Sequence, residues 1–112
     1  NLYDPMHPAM ISTLMRIVDG GHSVGVKVSV CGEMASDPLA AVLLLAMGFD
    51  SLSMNSSSLP RIKWVVRNFS IALARKILTH VIELEHPIEI RLYLQKALEE
   101  QGLGDLIRAK KG

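Results

Sequence analysis

Apolar positions recur at helical spacing in four stretches of the chain and run almost unbroken in a fifth. Ile11, Leu14, Met15 and Val18 define one buried face of a helix. Pro8 suits its first turn, and the phase carries it to about Ser23. Leu39 to Met47 is apolar almost all round, the mark of a helix buried on more than one side. Asp37 is its expected N-cap, Pro38 its first residue and Gly48 its stop. Ser58 can cap a helix from Leu59 to Asn68, with Ile62, Val65 and Val66 inside and Arg61, Lys63 and Arg67 turned to solvent. Ser70 opens another, whose stripe is Ile71, Ala74, Ile77, Leu78, Val81 and Ile82. Pro87 separates it from a last helix, Ile88 to Gln101, with Ile90, Leu94, Ala97 and Leu98 inside. Gly102 and Gly104 stop that helix, and the tail Lys110-Lys111-Gly112 is expected to fray.

Two segments break the helical spacing. Val26 to Val30 is short and β-branched, and Phe49 to Met54 is short and apolar. Both read as strands buried on two faces. Strands alternating with helices call for a parallel sheet joined by crossovers. The expected fold class is α/β, with two parallel strands plus five helices. Two strands are too few for a complete sheet, so residues 1–112 read as one piece of a larger domain. Its unpaired strand edges and the apolar helix from Pro38 to Met47 predict a homo-oligomer.

Composition narrows the partners. Hydrophobic residues make up 49%, and twelve basic residues face eleven acidic ones for a net charge of +1. That balance gives no electrostatic case for nucleic acid or an anionic membrane. The longest apolar run is too short to span a bilayer, and no signal peptide is read. A single cysteine offers no disulfide framework and fits a reducing cytoplasm.

That cysteine is also the leading chemical candidate. Val28-Ser29-Val30-Cys31-Gly32 ends a strand at the thiol, and Asp37-Pro38 begins a helix shortly after. Parallel α/β proteins build their sites at the carboxyl ends of strands. A thiol can release and take up a proton near neutrality, so Cys31 suits general acid work; from position alone the plainer reading is a small buried hydrophobe at a strand end. Glu33 can orient a partner or hold a cation, or be an exposed turn carboxylate. The loop Asn55-Ser56-Ser57-Ser58 offers hydroxyls and amides ahead of a helix, where an oxyanion could sit, although such loops also serve as plain turns. His7, His22, His80 and His86 have no metal-ligand spacing, and His80 is expected to meet its own helix dipole. Gly20-Gly21-His22-Ser23 falls at a helix end and does not read as a phosphohistidine loop.

Cys31-Gly32-Glu33-Met34-Ala35 followed by Asp37-Pro38 resembles the active-site cysteine motif of the phosphoenolpyruvate-utilising enzymes. Gly48 to Asn55, followed by Leu59-Pro60-Arg61-Ile62-Lys63, is similar to Enzyme I of the bacterial phosphotransferase system. Leu2-Tyr3-Asp4-Pro5 with His7-Pro8-Ala9-Met10 fits the segment before it, and Gly102 to Arg108 resembles the nitrogen-related paralogue. The resemblance implies the carboxyl-terminal part of a (β/α)8 TIM barrel, with Cys31 on its catalytic face. It implies a phosphotransferase that moves phosphoryl from phosphoenolpyruvate to an enzyme histidine and on to a phosphocarrier protein, releasing pyruvate. Cys31 would protonate the enolate. Mg2+ would assist, on ligands that have no counterpart in this chain, and the family's barrel domains dimerise. Enzymes of the phosphoenolpyruvate synthase and pyruvate phosphate dikinase kind share this chemistry and are the rival. An isolated oligomerisation module is the reading from outside enzymology.

Overall fold

The computed structural model describes residues 4–105. The quoted residues Leu2 and Tyr3, the stretch from Leu106 to Arg108 and the Lys110–Gly112 tail lie outside them. The described elements are α1 (Pro8–Ser23), β1 (Ser29–Cys31), α2 (Glu33–Ser36), α3 (Pro38–Met47), β2 (Ser51–Ser53), α4 (Leu59–Asn68), α5 (Ile71–Val81) and α6 (Pro87–Glu100). The strands form one parallel ladder, pairing Ser29 with Ser51, Val30 with Leu52 and Cys31 with Ser53. The α/β class and the parallel pairing expected from the sequence are both present.

Helix ends follow their signals closely. His7 caps α1, its Nδ1 accepting the Ala9 amide at 3.0 Å, with Pro8 as the first helical residue. Asp37 caps α3 by accepting the Leu39 amide at 3.0 Å, and Gly48 closes that helix in the left-handed region, at φ 91°. The Ser70 hydroxyl accepts the Leu73 amide at the start of α5. Ser58 differs. It occupies the cap position of α4, but its side chain makes no capping bond.

Four expectations need correction. Six helices are described rather than five, because α2 makes a single turn between Gly32 and Asp37. Four residues are too few to carry a periodic signal. The strands are three residues long rather than five or six, because the ladder lasts only as long as both partners. Val26 and Val28 precede the ladder and bond elsewhere, to Gly21 and Asp50. Nor are the strands buried on two faces. Alternation turns Ser29, Cys31, Ser51 and Ser53 outward, and only Val30 and Leu52 are half-buried against the helices. Finally, Val66, Ile71 and Ile82 are exposed rather than inside, since each lies at the margin of its helix stripe.

The core centres on α3. Every residue from Pro38 to Leu44 is buried, and α3 packs on α1, α4, α5 and α6. Ile62 and Val65 of α4, Ala74, Ile77 and Val81 of α5, and Ile90, Leu94 and Leu98 of α6 close around it. The expected bare face of this helix is therefore covered within the chain itself. His80 stacks on Tyr93, with ring centroids 4.2 Å apart, tying α5 to α6. Arg91 reaches Asp4 at 3.4 Å and Asp37 at 3.9 Å, tying α6 to the first loop and to the start of α3. No helix among the described residues is long and apolar enough to cross a membrane.

One carboxylate staples the amino end of the ladder. Asp50 Oδ2 accepts the Val28 amide at 2.7 Å and meets His22 Nε2 at 2.8 Å, while the Asp50 amide donates to the Val28 carbonyl. Gly21 lies so close to Val28 that a Cβ there would collide with the valine side chain. The Gly20–Ser23 stretch is thus a packing and pairing device at the end of α1. The Val28 amide, then the His22 hydrogen bond, hold the Asp50 carboxyl below its ordinary value. A carboxylate whose pKa is lowered by folding stabilises the fold above its unfolded pKa, about 3.9, and loses that contribution as pH falls through the folded value. Asp50→Asn should therefore flatten the fall of melting temperature below about pH 4. Parallel profiles for the two proteins would remove Asp50 from this role.

Candidate functional site

The carboxyl end of the ladder is built differently from the stapled end. Cys31 is the last residue of β1, and its thiol is free and exposed. Within this chain the thiol is thus not buried. Gly32 follows at φ 89°, in the region where a side chain is strained, and its amide donates to the Ser53 carbonyl at 3.2 Å. That turn swings the chain into α2, so Glu33 stands exposed immediately beyond the cysteine. The Ser36 hydroxyl bonds back to the Gly32 carbonyl at 3.2 Å and holds the turn closed. Asp37 then starts α3.

The second wall comes from β2. Ser53 is the register partner of Cys31, and the chain leaves it through Met54 into the Asn55–Ser58 turn, closed by the Ser58 amide on the Asn55 carbonyl at 3.0 Å. Between the two walls lies an open cleft of about 650 Å³. Gly32, Glu33 and Ser36 line one side; Ser53, Met54, Asn55, Ser58 and Arg61 line the other. Cys31 stands one residue before Gly32, at the cleft's margin.

The structure thus brings together Cys31, Glu33 and the Asn55–Ser58 loop at one end. The histidines go elsewhere: His7 caps α1, His22 pairs with Asp50 and His80 stacks on Tyr93. Sequence reasoning missed Ser36, Ser53 and Arg61 as members of the site. Ser53 carried a signal, since it sits as far along its strand as Cys31 does on the other. Arg61 was grouped with Lys63 and Arg67 as a solvated face, but it alone of the three lines this cleft and is only partly exposed. Among the described residues no three of His, Cys, Asp and Glu gather closely enough to hold a metal ion. Among the described residues the cleft thus offers no Mg2+ site of its own.

Residues 1–71, which include both strands, Cys31 and the cleft, match the family model described as PEP-utilising enzyme, PEP-binding domain. The chain belongs to that family. PEP here is phosphoenolpyruvate. Among curated relatives, a protein of Escherichia coli named phosphoenolpyruvate-dependent phosphotransferase system is 35% identical over 96% of this chain and 14% of its own length. A phosphoenolpyruvate-protein phosphotransferase of Haemophilus influenzae is 35% identical over 92% of this chain and 18% of its own length. One of Borreliella burgdorferi is 36% identical over 86% of this chain and 17% of its own. The chain thus spans less than a fifth of the length of these PEP-utilising relatives.

Proposed function

We propose that residues 1–112 are one piece of the phosphoenolpyruvate-binding domain of a phosphoenolpyruvate-protein phosphotransferase, with Cys31 as its proton donor. The observation that carries this reading is the exposed thiol at the carboxyl end of a parallel strand, inside the segment that matches the family. In the proposed reaction the bridging C–O oxygen of phosphoenolpyruvate keeps the electron pair of its bond to phosphorus, and phosphoryl passes to a histidine of the same protein. An enolate remains. The Cys31 S–H bond breaks, its proton goes to the methylene carbon, and pyruvate results. The thiolate left behind recovers a proton from water. An acid that can give up its proton near neutral pH suits this step. An open cleft beside the thiol leaves room for the substrate.

Two further elements of the reading follow from the same resemblance. The parallel strands fit adjacent members of an eight-stranded barrel, whose chemistry gathers at the carboxyl ends. The names of the relatives favour the phosphotransferase over the synthase or dikinase alternative. We extend the proposal to a phosphocarrier protein as the final acceptor, to Mg2+ held by residues outside this chain and to a cytoplasmic setting. The test is transfer of label. Full-length protein incubated with phosphoenolpyruvate labelled on phosphorus should carry the label on histidine and release one pyruvate per phosphoryl group. Label that appears only after a nucleotide is added would move the protein to the dikinase class.

A further inference from the structure

We propose that Asp50 is a positioning residue for Cys31: by holding Val28 beside itself it fixes the register of β1 on β2, and with it the place of the thiol, while His22 steadies the carboxylate for that task. The inference rests on the reading of Cys31 as proton donor and names two residues of this chain that serve it.

The ladder carries little register information of its own. It pairs three residues with three, and its outer face holds only Ser29, Cys31, Ser51 and Ser53. Short strands with small polar side chains on an open face specify their pairing weakly. One side-chain bond crosses the ladder, between the hydroxyls of Ser29 and Ser51 at 2.6 Å. A slip of two residues would offer Ser29 another serine, Ser53, in its place. Such a slip moves the thiol about 6–7 Å along the strand, and a slip of one turns it to the helix face.

Asp50 supplies the missing constraint. Its Oδ2 accepts the Val28 amide at 2.7 Å, and its own amide donates to the Val28 carbonyl at 2.8 Å. Both polar backbone groups of Val28 are thus taken by one residue, and this closed pair forms only when Val28 stands beside Asp50. The two lie one residue before Ser29 and Ser51, so they act as the rung beneath the ladder. Three rungs further on, the same register sets Cys31 beside Ser53. From the other side, the Val28 side chain lies against Gly21 near the end of α1.

His22 completes the arrangement. Its Nε2 meets the same Asp50 oxygen at 2.8 Å. Its ring lies against Gly48, with Cε1 3.8 Å from where a Cβ would stand. Gly48 closes α3 two residues before Asp50. The end of α1 and the turn from α3 to β2 therefore grip one carboxylate between them. Every group belongs to this chain, and every contact is made within it. Neither His22 nor Asp50 lines the cleft, so their effect on the reaction must run through β1.

The experiment follows two steps separately in the full-length protein: transfer of labelled phosphoryl from phosphoenolpyruvate to histidine, and formation of pyruvate. Asp50→Ala should leave labelling near its normal rate and slow pyruvate formation about tenfold to a hundredfold, the cost of a proton donor displaced by roughly 1 Å. A protein that is only less stable would lose both steps together. Asp50→Asn keeps an acceptor for the Val28 amide and should recover most of the lost rate. His22→Ala should give the same split at about threefold, as for one lost hydrogen bond. In a Cys31→Ala background, Asp50→Ala should slow pyruvate formation no further. Normal pyruvate formation by Asp50→Ala, a proportional loss of both steps, or an added loss in the Cys31→Ala background overturns the proposal. Should Asp50→Ala fail to fold, His22→Ala decides, and an unchanged ratio of the two steps overturns it equally. Normal pyruvate formation by Cys31→Ala overturns the reading of the thiol and this inference with it. A slow Cys31→Ala protein beside a normal Asp50→Ala protein overturns this inference alone.

Discussion

Replacing Cys31 by alanine in the full-length protein should slow pyruvate formation by a factor of about a hundred to ten thousand, the usual range for a lost general acid. Stability should hardly move. The side chain is small and exposed at the end of a three-residue strand, and substitutions at such positions ordinarily stay within about 0.5 kcal/mol. The ladder bonds that hold the strand are made by the backbone and survive the change. Pyruvate release and melting temperature, measured side by side, separate the two effects. A variant that releases pyruvate at the normal rate would leave Cys31 as a bystander. One that unfolds would make it a structural residue, against its exposure.

The 112-residue chain by itself should form no pyruvate from phosphoenolpyruvate and should associate in solution. Phosphoryl transfer is mostly a matter of positioning and charge neutralisation, and both need many groups held at once. Here one wall of donors and one thiol stand at an open cleft, and among the described residues no histidine lines it. The histidines given a clear role by the structure serve helix α1, Asp50 and Tyr93 instead. Association should arise at the ladder, since both strands are exposed at two residues of every three and each has an edge unpaired by the other. Light scattering at micromolar concentration reads the mass, and amide exchange reads the order of the strands. Pyruvate formed at a rate near that of a full-length protein would contradict the first expectation. A monomer with both strands slowly exchanging would contradict the second.

The helices were legible in the sequence because their signals are local. Pro8, Asp37-Pro38, Gly48 and Ser70 each act on the nearest turn, and the structure starts or stops α1, α3 and α5 where they stand; the His7 cap of α1 was not read from the sequence. The strands were legible in kind and in pairing but not in extent. A ladder is made by two segments together, so Val26 looks like a strand residue and yet lies beyond the reach of the partner strand. Burial was misread for the same reason. Val66, Ile71 and Ile82 are apolar at helical spacing, but what faces them depends on the other helices. At the site, Cys31 was visible because a lone thiol at a strand end is unusual. Arg61 was hidden by Lys63 and Arg67, which share its charge and its helix but not its cleft.

The burial of most of α3 has a bearing on how this piece meets the rest of the world. A helix without one polar side chain from Leu39 to Met47 offers little to an outside surface, because neighbours from both ends of the chain pack on it and only Leu45 and Met47 stay partly exposed. Helices α5 and α6 pack on α3 and on each other. On these helices and just past the end of α5, Ile71, Ile82, Ile88 and Leu92 remain exposed. Substitutions at these exposed positions should therefore leave the packing of α3 undisturbed.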